Sequence, residues 1–386
     1  MSPTHLDYYT KHGISPVHYL AKDMREHFER RASLYRSLGL LPLAFKGSRI
    51  LEVAVGSGQN SLYIASLMPE SLTLVEPNPT GIREIGALYR DTPVPHVSPE
   101  LIETTLQAYV PTHAFDIVIC ENWLGNAPAE RQLLRKLAGF LDEQGAMVVT
   151  TVTPTGFLPN LIRRALAVRY CDPHLPFEER TEHLVQMFEP HLRTMSAMTR
   201  SAVDWVHDNM MNPAYFNLCL TIPAVLQEVG DIVTAVGTNP SFAVDWRWFK
   251  ALHGAGRGFN QHMVEQYDAA LHNFLDFQLE FDQPDVQLNK LLESASVEFL
   301  EATRAYENSV LANKANQTDI ANLADVLGRI VDLLEPFPEQ IKAGIQDGMK
   351  LLVAGDGDPV KVAHAGHFSR LFGRETVYLS LIREEL

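Results

Sequence analysis

The stretch that decides the fold is Glu52-Val53-Ala54-Val55-Gly56-Ser57-Gly58. It follows the apolar pair Ile50-Leu51 and precedes a segment of helical character, Gln59 to Leu67. This order predicts a strand that turns through small residues onto the N-terminus of a helix, where backbone N–H groups can meet a ligand. We therefore expect the turn to hold a nucleotide-like ligand.

A second signal lies where the next predicted strand, Leu72 to Glu76, comes to its end. Glu76 is followed there by Pro77-Asn78-Pro79. An acidic side chain at this position can accept hydrogen bonds from both hydroxyls of a ribose. The turn and Glu76 together predict a site for a cofactor that contains a nucleoside.

Composition favours an enzyme-sized globular chain with a small-molecule partner. The 386 residues are 46% hydrophobic, which is enough for a substantial core in two domains or in one elaborated domain. The formal net charge of −15 disfavours nucleic acid as a partner, because a phosphate backbone is normally bound by clustered Lys and Arg. We expect a small-molecule acceptor.

The cysteines and the N-terminus indicate a cytoplasmic location. Cys120, Cys171 and Cys219 are far apart, odd in number and without the spacing of a zinc site, so we expect reduced thiols and no metal. Met1 to Asp7 lacks the pattern of a signal peptide, and no window approaches the ~20 apolar residues of a membrane span. We expect no membrane association.

The chain divides by pattern into five parts. Residues 48–154 alternate β-branched runs with helical periods, which predicts an α/β fold with a parallel sheet covered by helices on both faces. The other predicted parts are an N-terminal helical cover at 1–47, a helical insertion or lid at 155–217, the end of the sheet at 218–250, and a mainly helical C-terminal subdomain at 251–386.

The last strand of the sheet has two candidates. Ile232 to Val236 and Phe242 to Trp248 look like strands joined around Asn239-Pro240, while Thr376 to Ile382 also alternates as a strand does. The pattern leaves open whether Phe242 to Trp248 or Thr376 to Ile382 completes the sheet.

At its first motif the chain resembles the class I S-adenosylmethionine-dependent methyltransferases. The family's motif is an acidic residue, any residue, Gly or Ala, any residue, Gly, any residue, Gly, which Glu52, Ala54, Gly56 and Gly58 match. Glu76 matches the acidic residue that ends the family's second strand. Two further stretches resemble its fourth strand and the turn before its fifth, namely Phe115 to Cys120 and Gly145. The resemblance covers roughly residues 45–152.

The main alternative is a domain that binds a dinucleotide. Its Gly-x-Gly-x-x-Gly fingerprint is not met, because Ser61 stands where the third Gly would be. We therefore prefer the methyltransferase reading.

The resemblance implies a Rossmann-like, mainly parallel seven-stranded sheet that binds S-adenosylmethionine and releases S-adenosylhomocysteine. Gly56 and Gly58 would let the backbone approach the cofactor, Glu52 would reach its amino group through water, and Glu76 would take the ribose hydroxyls. The adenine position expected after the third strand falls near Ser98. The implied cofactor residues are Glu52, Ala54, Gly56, Gly58, Asn60, Ser61, Glu76, Pro77, Asn78, Ser98 and Glu121.

The chemistry would need an aligned acceptor and, for a hydroxyl or a protonated amine, a base. Methyl transfer from a sulfonium is an in-line displacement in which the protein holds the nucleophile ~3 Å from the methyl carbon. Asp204 and His207 lie three residues apart, hence on one face if the segment is helical, and could act as an oriented general base. An ordinary solvated helix face is the alternative, and His18 is a further candidate base.

Four more residues are predicted to line the acceptor site. Asn122 and Trp123 follow the fourth strand, whose end faces the site in open α/β sheets. Tyr9 and Tyr19 belong to an aromatic N-terminal segment that could fold over the acceptor or simply pack beneath the first helix.

The prediction is thus a methyltransferase that acts on oxygen or nitrogen of a small molecule. Two alternatives stay open, a methyltransferase acting on protein or nucleic acid and a catalytically silent cofactor-binding protein. In either case the C-terminal helices could form a homo-oligomer interface.

Overall fold

A computed structural model describes residues 5–15, 24–196, 198–282, 285–355 and 358–384. The strands are β1 Arg49–Val53, β2 Ser71–Val75, β3 Glu100–Ile102, β4 Phe115–Cys120, β5 Leu141–Val152, β6 Thr234–Asn239 and β7 Thr376–Ile382. The α-helices are α1 His5–His12, α2 Met24–Ser37, α3 Pro42–Phe45, α4 Gln59–Ser66, α5 Pro79–Asp91, α6 Pro128–Ala138, α7 Pro154–Tyr170, α8 Phe177–Leu192, α9 Ala202–Val206, α10 Ile222–Val229, α11 Phe259–Ala270, α12 Val286–Leu311, α13 Gln317–Leu333, α14 Glu339–Ala354 and α15 Pro359–Ala363.

The chain forms two compact units, each built from separate segments. Unit 1 consists of residues 1–152, 217–267 and 376–386, and unit 2 of residues 153–216 and 268–375. Within the described part of the chain, no helix combines the length and apolar character that crossing a membrane requires.

Unit 1 carries one seven-stranded sheet in the order β3-β2-β1-β4-β5-β7-β6. The strands from β3 to β5 are parallel, and β7 runs antiparallel to both β5 and β6. The predicted Rossmann-like, mainly parallel seven-stranded fold is confirmed. The ends of β1, β2 and β4 therefore meet at one edge of the sheet, where ligands bind in folds of this kind.

The choice of last strand is settled in favour of Thr376–Ile382, and the prediction of a strand from Phe242 to Trp248 is wrong. β7 lies between β5 and β6, so both of its edges are paired. The segment from Phe242 to Trp248 instead exposes large side chains, with Trp246 at 90% and Trp248 at 68% exposure. A strand there would have left these side chains without a packing surface.

The core of unit 1 lies between the sheet and its covering helices. Ile50 of β1 and Leu74 of β2 pack in one apolar cluster with Leu62 of α4, Ile85 of α5 and Tyr35 of α2, all of them buried. Full burial of such a side chain contributes about 1.5–3 kcal/mol. This packing fixes where α4 and α5 begin, and hence the geometry of the edge described next.

Unit 2 is helical and is organised around α7. Every side chain from Pro154 to Val168 is buried, so this helix is enclosed on all faces, and it packs against α12 and α14. The predictions of helical structure in both segments of this unit are confirmed.

Candidate methyl-donor site

The turn after β1 is built from backbone conformations that favour small residues. Ala54, Gly56 and Gly58 have φ values of 60°, 63° and 81°. Gly58 is the N-cap of α4, and a Cβ atom there would lie 2.9 Å from Cγ1 of Ile85. The turn therefore brings backbone N–H groups and a helix N-terminus to the edge of the sheet, as predicted from the spacing.

The Glu76 carboxylate closes the turn from the neighbouring strand. Its Oε2 accepts a hydrogen bond from the Gly56 N–H at 2.9 Å, and its Oε1 accepts one from the Asn78 N–H at 2.8 Å. Burial raises the pKa of Glu76, while these backbone N–H bonds act in the opposite direction. Each oxygen can accept further hydrogen bonds, so the carboxylate can serve two adjacent hydroxyls.

Asn78 joins the end of β2 to the N-terminal segment. Its Oδ1 accepts from the Thr80 N–H at 3.1 Å and caps α5, and its Nδ2 donates to the carbonyl of Ile14 at 3.0 Å. The chain that follows α1 is thus held beside Glu76. Pro77, which lies between Glu76 and Asn78 in the sequence, is half-buried.

A buried ion pair connects α2 with the end of β4. The Arg31 guanidinium donates to both carboxylate oxygens of Glu121, through Nη1 at 3.0 Å and through Nη2. The same carboxylate accepts from Asn60 Nδ2 at 3.3 Å and from the hydroxyls of Tyr35 and Tyr378, each at 3.4 Å. Arg31 is not among the site residues predicted from the sequence. The signal that could have indicated it is its position on α2, one turn before Tyr35 on the buried face of that helix.

Glu52 lies beside this pair and is 3% exposed. Burial raises its pKa to about 8; the Glu121 carboxylate adds to the effect, and the Arg31 guanidinium opposes it. Three buried polar atoms of this cluster have no hydrogen-bond partner among the described residues, namely Glu52 Oε2, Arg31 Nε and Asn60 Oδ1. Buried polar atoms are normally paired, so this set fits a ligand with charged ends.

Residues 51–149 match the family model described as a methyltransferase domain. The predicted resemblance is thereby confirmed for the segment from β1 to β5. No curated protein matches the chain.

Solved structures with some similarity to the chain are methyltransferases. The N-methyltransferase NodS from Bradyrhizobium japonicum WM9, in complex with S-adenosylhomocysteine, is 16% identical, with a TM-score of 0.27 over 33% of this chain and 62% of that one. Magnesium protoporphyrin IX methyltransferase from Synechocystis PCC 6803 is 18% identical, with a TM-score of 0.31 over 38% and 70%. The arsenic(III) S-adenosylmethionine methyltransferase from Chlamydomonas reinhardtii is 21% identical, with a TM-score of 0.25 over 28% and 40%. The chain thus spans less than two thirds of the first and third of these.

The structure places two further predicted cofactor residues, Ser98 and Ser61. Ser98 precedes β3, so the prediction that it follows the third strand is wrong; β3 is only three residues long and ends at Ile102, and Glu103 and Thr104 follow it. Ser61 is fully buried, and its hydroxyl donates to the Gly58 carbonyl at 2.8 Å.

The predicted acceptor residues and the candidate base His18 fall into three groups. Asn122 follows β4 with a φ of 52° and is exposed; its N–H donates to Thr150 Oγ1 at 2.6 Å, and the neighbouring Trp123 is half-buried. Tyr9 lies on α1, where its ring centroid is 6.0 Å from that of His5. His18 and Tyr19 lie outside the described residues.

Asp204 and His207 belong to unit 2. Asp204 is in the first turn of α9, where its N–H donates to the capping Ser201 Oγ at 3.0 Å. His207 starts the π-helical turn after α9, and its Nε2 is 3.1 Å from Thr181 Oγ1. Their role as a general base stays a prediction.

Cys120, Cys171 and Cys219 are buried, and none of them forms a disulfide within the described residues. Among the described residues, no group of three His, Cys, Asp or Glu side chains is arranged to hold a metal ion.

Proposed function

We propose that this chain is an S-adenosylmethionine-dependent methyltransferase whose cofactor lies across the turn of residues 54–58. The observation that carries the proposal is the buried Glu76 carboxylate, oriented by the N–H groups of Gly56 and Asn78 at the edge of the sheet. A ribose there would donate both hydroxyls to the two oxygens. The match of residues 51–149 to a methyltransferase domain supports the same conclusion.

The other end of the site fits the amino acid part of this cofactor. Glu52 Oε2 and Asn60 Oδ1 are buried acceptors without a partner among the described residues, and an ammonium group needs such acceptors. The N-terminus of α4 begins at Gln59 and favours a carboxylate. When bound, the cofactor supplies an activated methyl group, and the residues of the chain orient it and exclude water.

For the acceptor we propose a small molecule methylated at oxygen or nitrogen. The net charge of −15 supports this choice over a nucleic acid, because a nucleic-acid surface would have to be assembled from a minority of cations. The test is to incubate the protein with methyl-labelled S-adenosylmethionine and a cell extract. Label in acid-soluble products supports a small acceptor, and label only in acid-precipitable material contradicts it.

Cofactor binding is tested by calorimetry with S-adenosylhomocysteine on the unmodified protein and on Glu76→Ala. Hydrogen bonds to a charged group contribute about 1.5–3 kcal/mol each, so loss of two should weaken binding about 100-fold or more. Glu70→Ala is the matched control, because Glu70 is exposed and precedes the same strand at its opposite end. Equal affinity in Glu76→Ala and the unmodified protein would remove the basis of the proposal, as would the absence of binding to the unmodified protein.

A further inference from the structure

The cluster around Glu52 holds more carboxylates than cations. The Arg31 guanidinium bonds Glu121 through both of its terminal nitrogens, and the charges of Glu121 and Arg31 both act on the nearby Glu52 carboxyl. All three side chains are at least nine-tenths buried. Two ionised carboxylates with one guanidinium would leave a net negative charge in a site of low dielectric, which is unfavourable. One proton removes that charge.

We propose that the free protein holds one proton on the Glu52–Glu121 pair and that this proton leaves to solvent when the α-ammonium group of the cofactor binds. The inference rests on the proposed function and adds a proton-coupled step to it. The exchange balances, because a neutral carboxyl and an ammonium group become a carboxylate–ammonium pair plus one released proton. No bond to carbon or sulfur changes.

The place of the proton follows from the hydrogen bonds. Both oxygens of Glu121 already accept hydrogen bonds, which come from Arg31, Asn60, Tyr35 and Tyr378. Glu52 has a buried oxygen with no donor among the described residues. Glu52 is therefore the member of the pair that carries the proton in the free protein, in agreement with its pKa of about 8.

Other titratable groups lie around the Glu52 and Glu121 carboxyls. They are Arg31, His27 and Tyr35 of α2, Tyr63 of α4, Tyr89 of α5, Cys120 of β4 and Tyr378 of β7. Burial raises the pKa of Tyr35, Tyr63, Tyr89 and Cys120, so these groups stay neutral. Burial lowers the pKa of His27, which favours the neutral ring, and the Glu121 carboxylate outweighs the effect of burial and raises the pKa of Arg31.

An ammonium group beside Glu52 is sufficient to expel the proton. An opposite charge within ~4–6 Å lowers a carboxyl pKa by about 1–3, and a lowering of about 2, the middle of that range, would bring the pKa of Glu52 from about 8 to about 6. At pH 7 the binding of S-adenosylhomocysteine should then release about 0.8 proton. Linkage gives the sign of the pH effect: ligand binds the deprotonated form, so affinity should rise about 30-fold from pH 6 to pH 8.

The experiment is calorimetry of S-adenosylhomocysteine binding at pH 7 in buffers of different ionisation enthalpy, which counts the protons released. Adenosine serves as the matched ligand, because it carries the ribose and adenine without an ammonium group. We expect about 0.8 proton for S-adenosylhomocysteine and close to none for adenosine. Glu52→Gln cannot ionise and should release none with either ligand.

The possible outcomes separate this inference from the proposed function. Binding of S-adenosylhomocysteine with less than about 0.2 proton released would overturn the inference and leave the methyltransferase proposal intact. Equal release with adenosine, or undiminished release in Glu52→Gln, would assign the proton to another group and also overturn it. Failure of the unmodified protein to bind S-adenosylhomocysteine would overturn both.

Discussion

Each unit of this protein contains a set of buried charged side chains, and the hydrogen bonding of the two sets differs. In unit 2, Arg163 and Arg164 stand side by side on α7 and are fully buried. Arg164 donates to Glu307 through Nε and Nη2, each at 2.8 Å, and to the carbonyls of Asn209 and Asn212 through Nη1. Each nitrogen of this guanidinium has an acceptor.

Arg163 reaches the same completeness without a bonded carboxylate. Its Nε bonds His191 Nδ1 at 3.2 Å, its Nη2 the Phe368 carbonyl at 3.2 Å, and its Nη1 the Pro159 carbonyl at 3.3 Å. The Phe372 ring centroid lies 3.7 Å from the guanidinium carbon, which adds a cation–π contact. The two arginines of α7 are therefore satisfied within the unit itself.

At the edge of the sheet in unit 1, by contrast, buried polar side chains are not fully hydrogen-bonded. Glu52 is the last but one residue of β1, Glu76 and Glu121 follow the neighbouring strands β2 and β4, and the Arg31 guanidinium pairs with Glu121. Buried atoms of Glu52, Arg31 and Asn60 have no partner among the described residues. In these two sets of charged side chains, the guanidinium groups of Arg163 and Arg164 have complete hydrogen bonding, whereas the set that lacks partners lies at the edge where we place the ligand.

The largest expected effect is a loss of stability when the buried pair of Arg164 and Glu307 in unit 2 is broken. Glu307→Gln leaves the Arg164 guanidinium buried without its counter-charge, and loss of one partner of such a pair costs about 3–5 kcal/mol. Urea denaturation followed by circular dichroism measures the loss. Glu298→Gln is the control, because Glu298 pairs with Arg329 at an exposed position and its replacement should change stability very little. Similar losses in the two variants would contradict the comparison.

Replacement of Glu52 in unit 1 should instead increase the stability of the protein. The folded-state pKa of Glu52, about 8, lies above the ordinary value of 4.5, so folding favours the neutral form. Stability is then lost as pH rises from 4.5 to 8, because the unfolded chain gives up this proton first. Glu52→Gln avoids that loss and should be more stable than the unmodified protein by about 4 kcal/mol at pH 8.

The difference between Glu52→Gln and the unmodified protein should shrink towards zero at pH 5. Unfolding curves at pH 5, 6.5 and 8 measure it, and the exposed Glu70→Gln should leave the pH profile unchanged. A destabilised Glu52→Gln at pH 8 would mean that Glu52 is ionised and paired in the folded protein.

The parts of this site that the sequence predicts are those that local structure determines. Glu52 to Gly58 form a strand, a turn and a helix start within a few residues, and Glu76 needs only the end of the next strand. Spacing and residue type therefore suffice for both. The prediction that Ser98 follows the third strand is wrong, because a strand of only three residues, such as β3, has no periodic pattern that shows where it ends.

The parts that the sequence does not predict depend on partners distant along the chain. Arg31 and Glu121 are 90 residues apart, and no periodicity relates them. The same holds for β7, whose pairing with β5 joins Thr151 to Val377, whereas Phe242 to Trp248 looked equally like a strand. Pattern shows which segments can be strands, and the packing of the whole unit decides which of them has neighbours.

The smallest expected effects come from replacing two asparagines, Asn160 beside Arg163 in unit 2 and Asn60 beside Glu121 in unit 1. Asn160 of α7 donates to Glu375 at 2.8 Å and accepts from Arg163 at 3.4 Å, so Asn160→Ala should cost about 2 kcal/mol of stability. Asn60 makes one long bond, to Glu121 at 3.3 Å, and its Oδ1 has no partner among the described residues. Asn60→Ala should cost about 0.5 kcal/mol and should instead weaken S-adenosylhomocysteine binding about 5-fold.

Urea denaturation and calorimetry on the same two protein samples measure both quantities. If the hydrogen bonds of Asn160 support the fold and the oxygen of Asn60 serves a ligand, Asn160→Ala should lose more stability. Asn60→Ala should then be the variant that loses affinity for S-adenosylhomocysteine. If Asn60→Ala lost more stability than Asn160→Ala and kept its affinity, the unpaired oxygen of Asn60 would be a defect of packing. Its position beside Glu52 would then say nothing about a ligand.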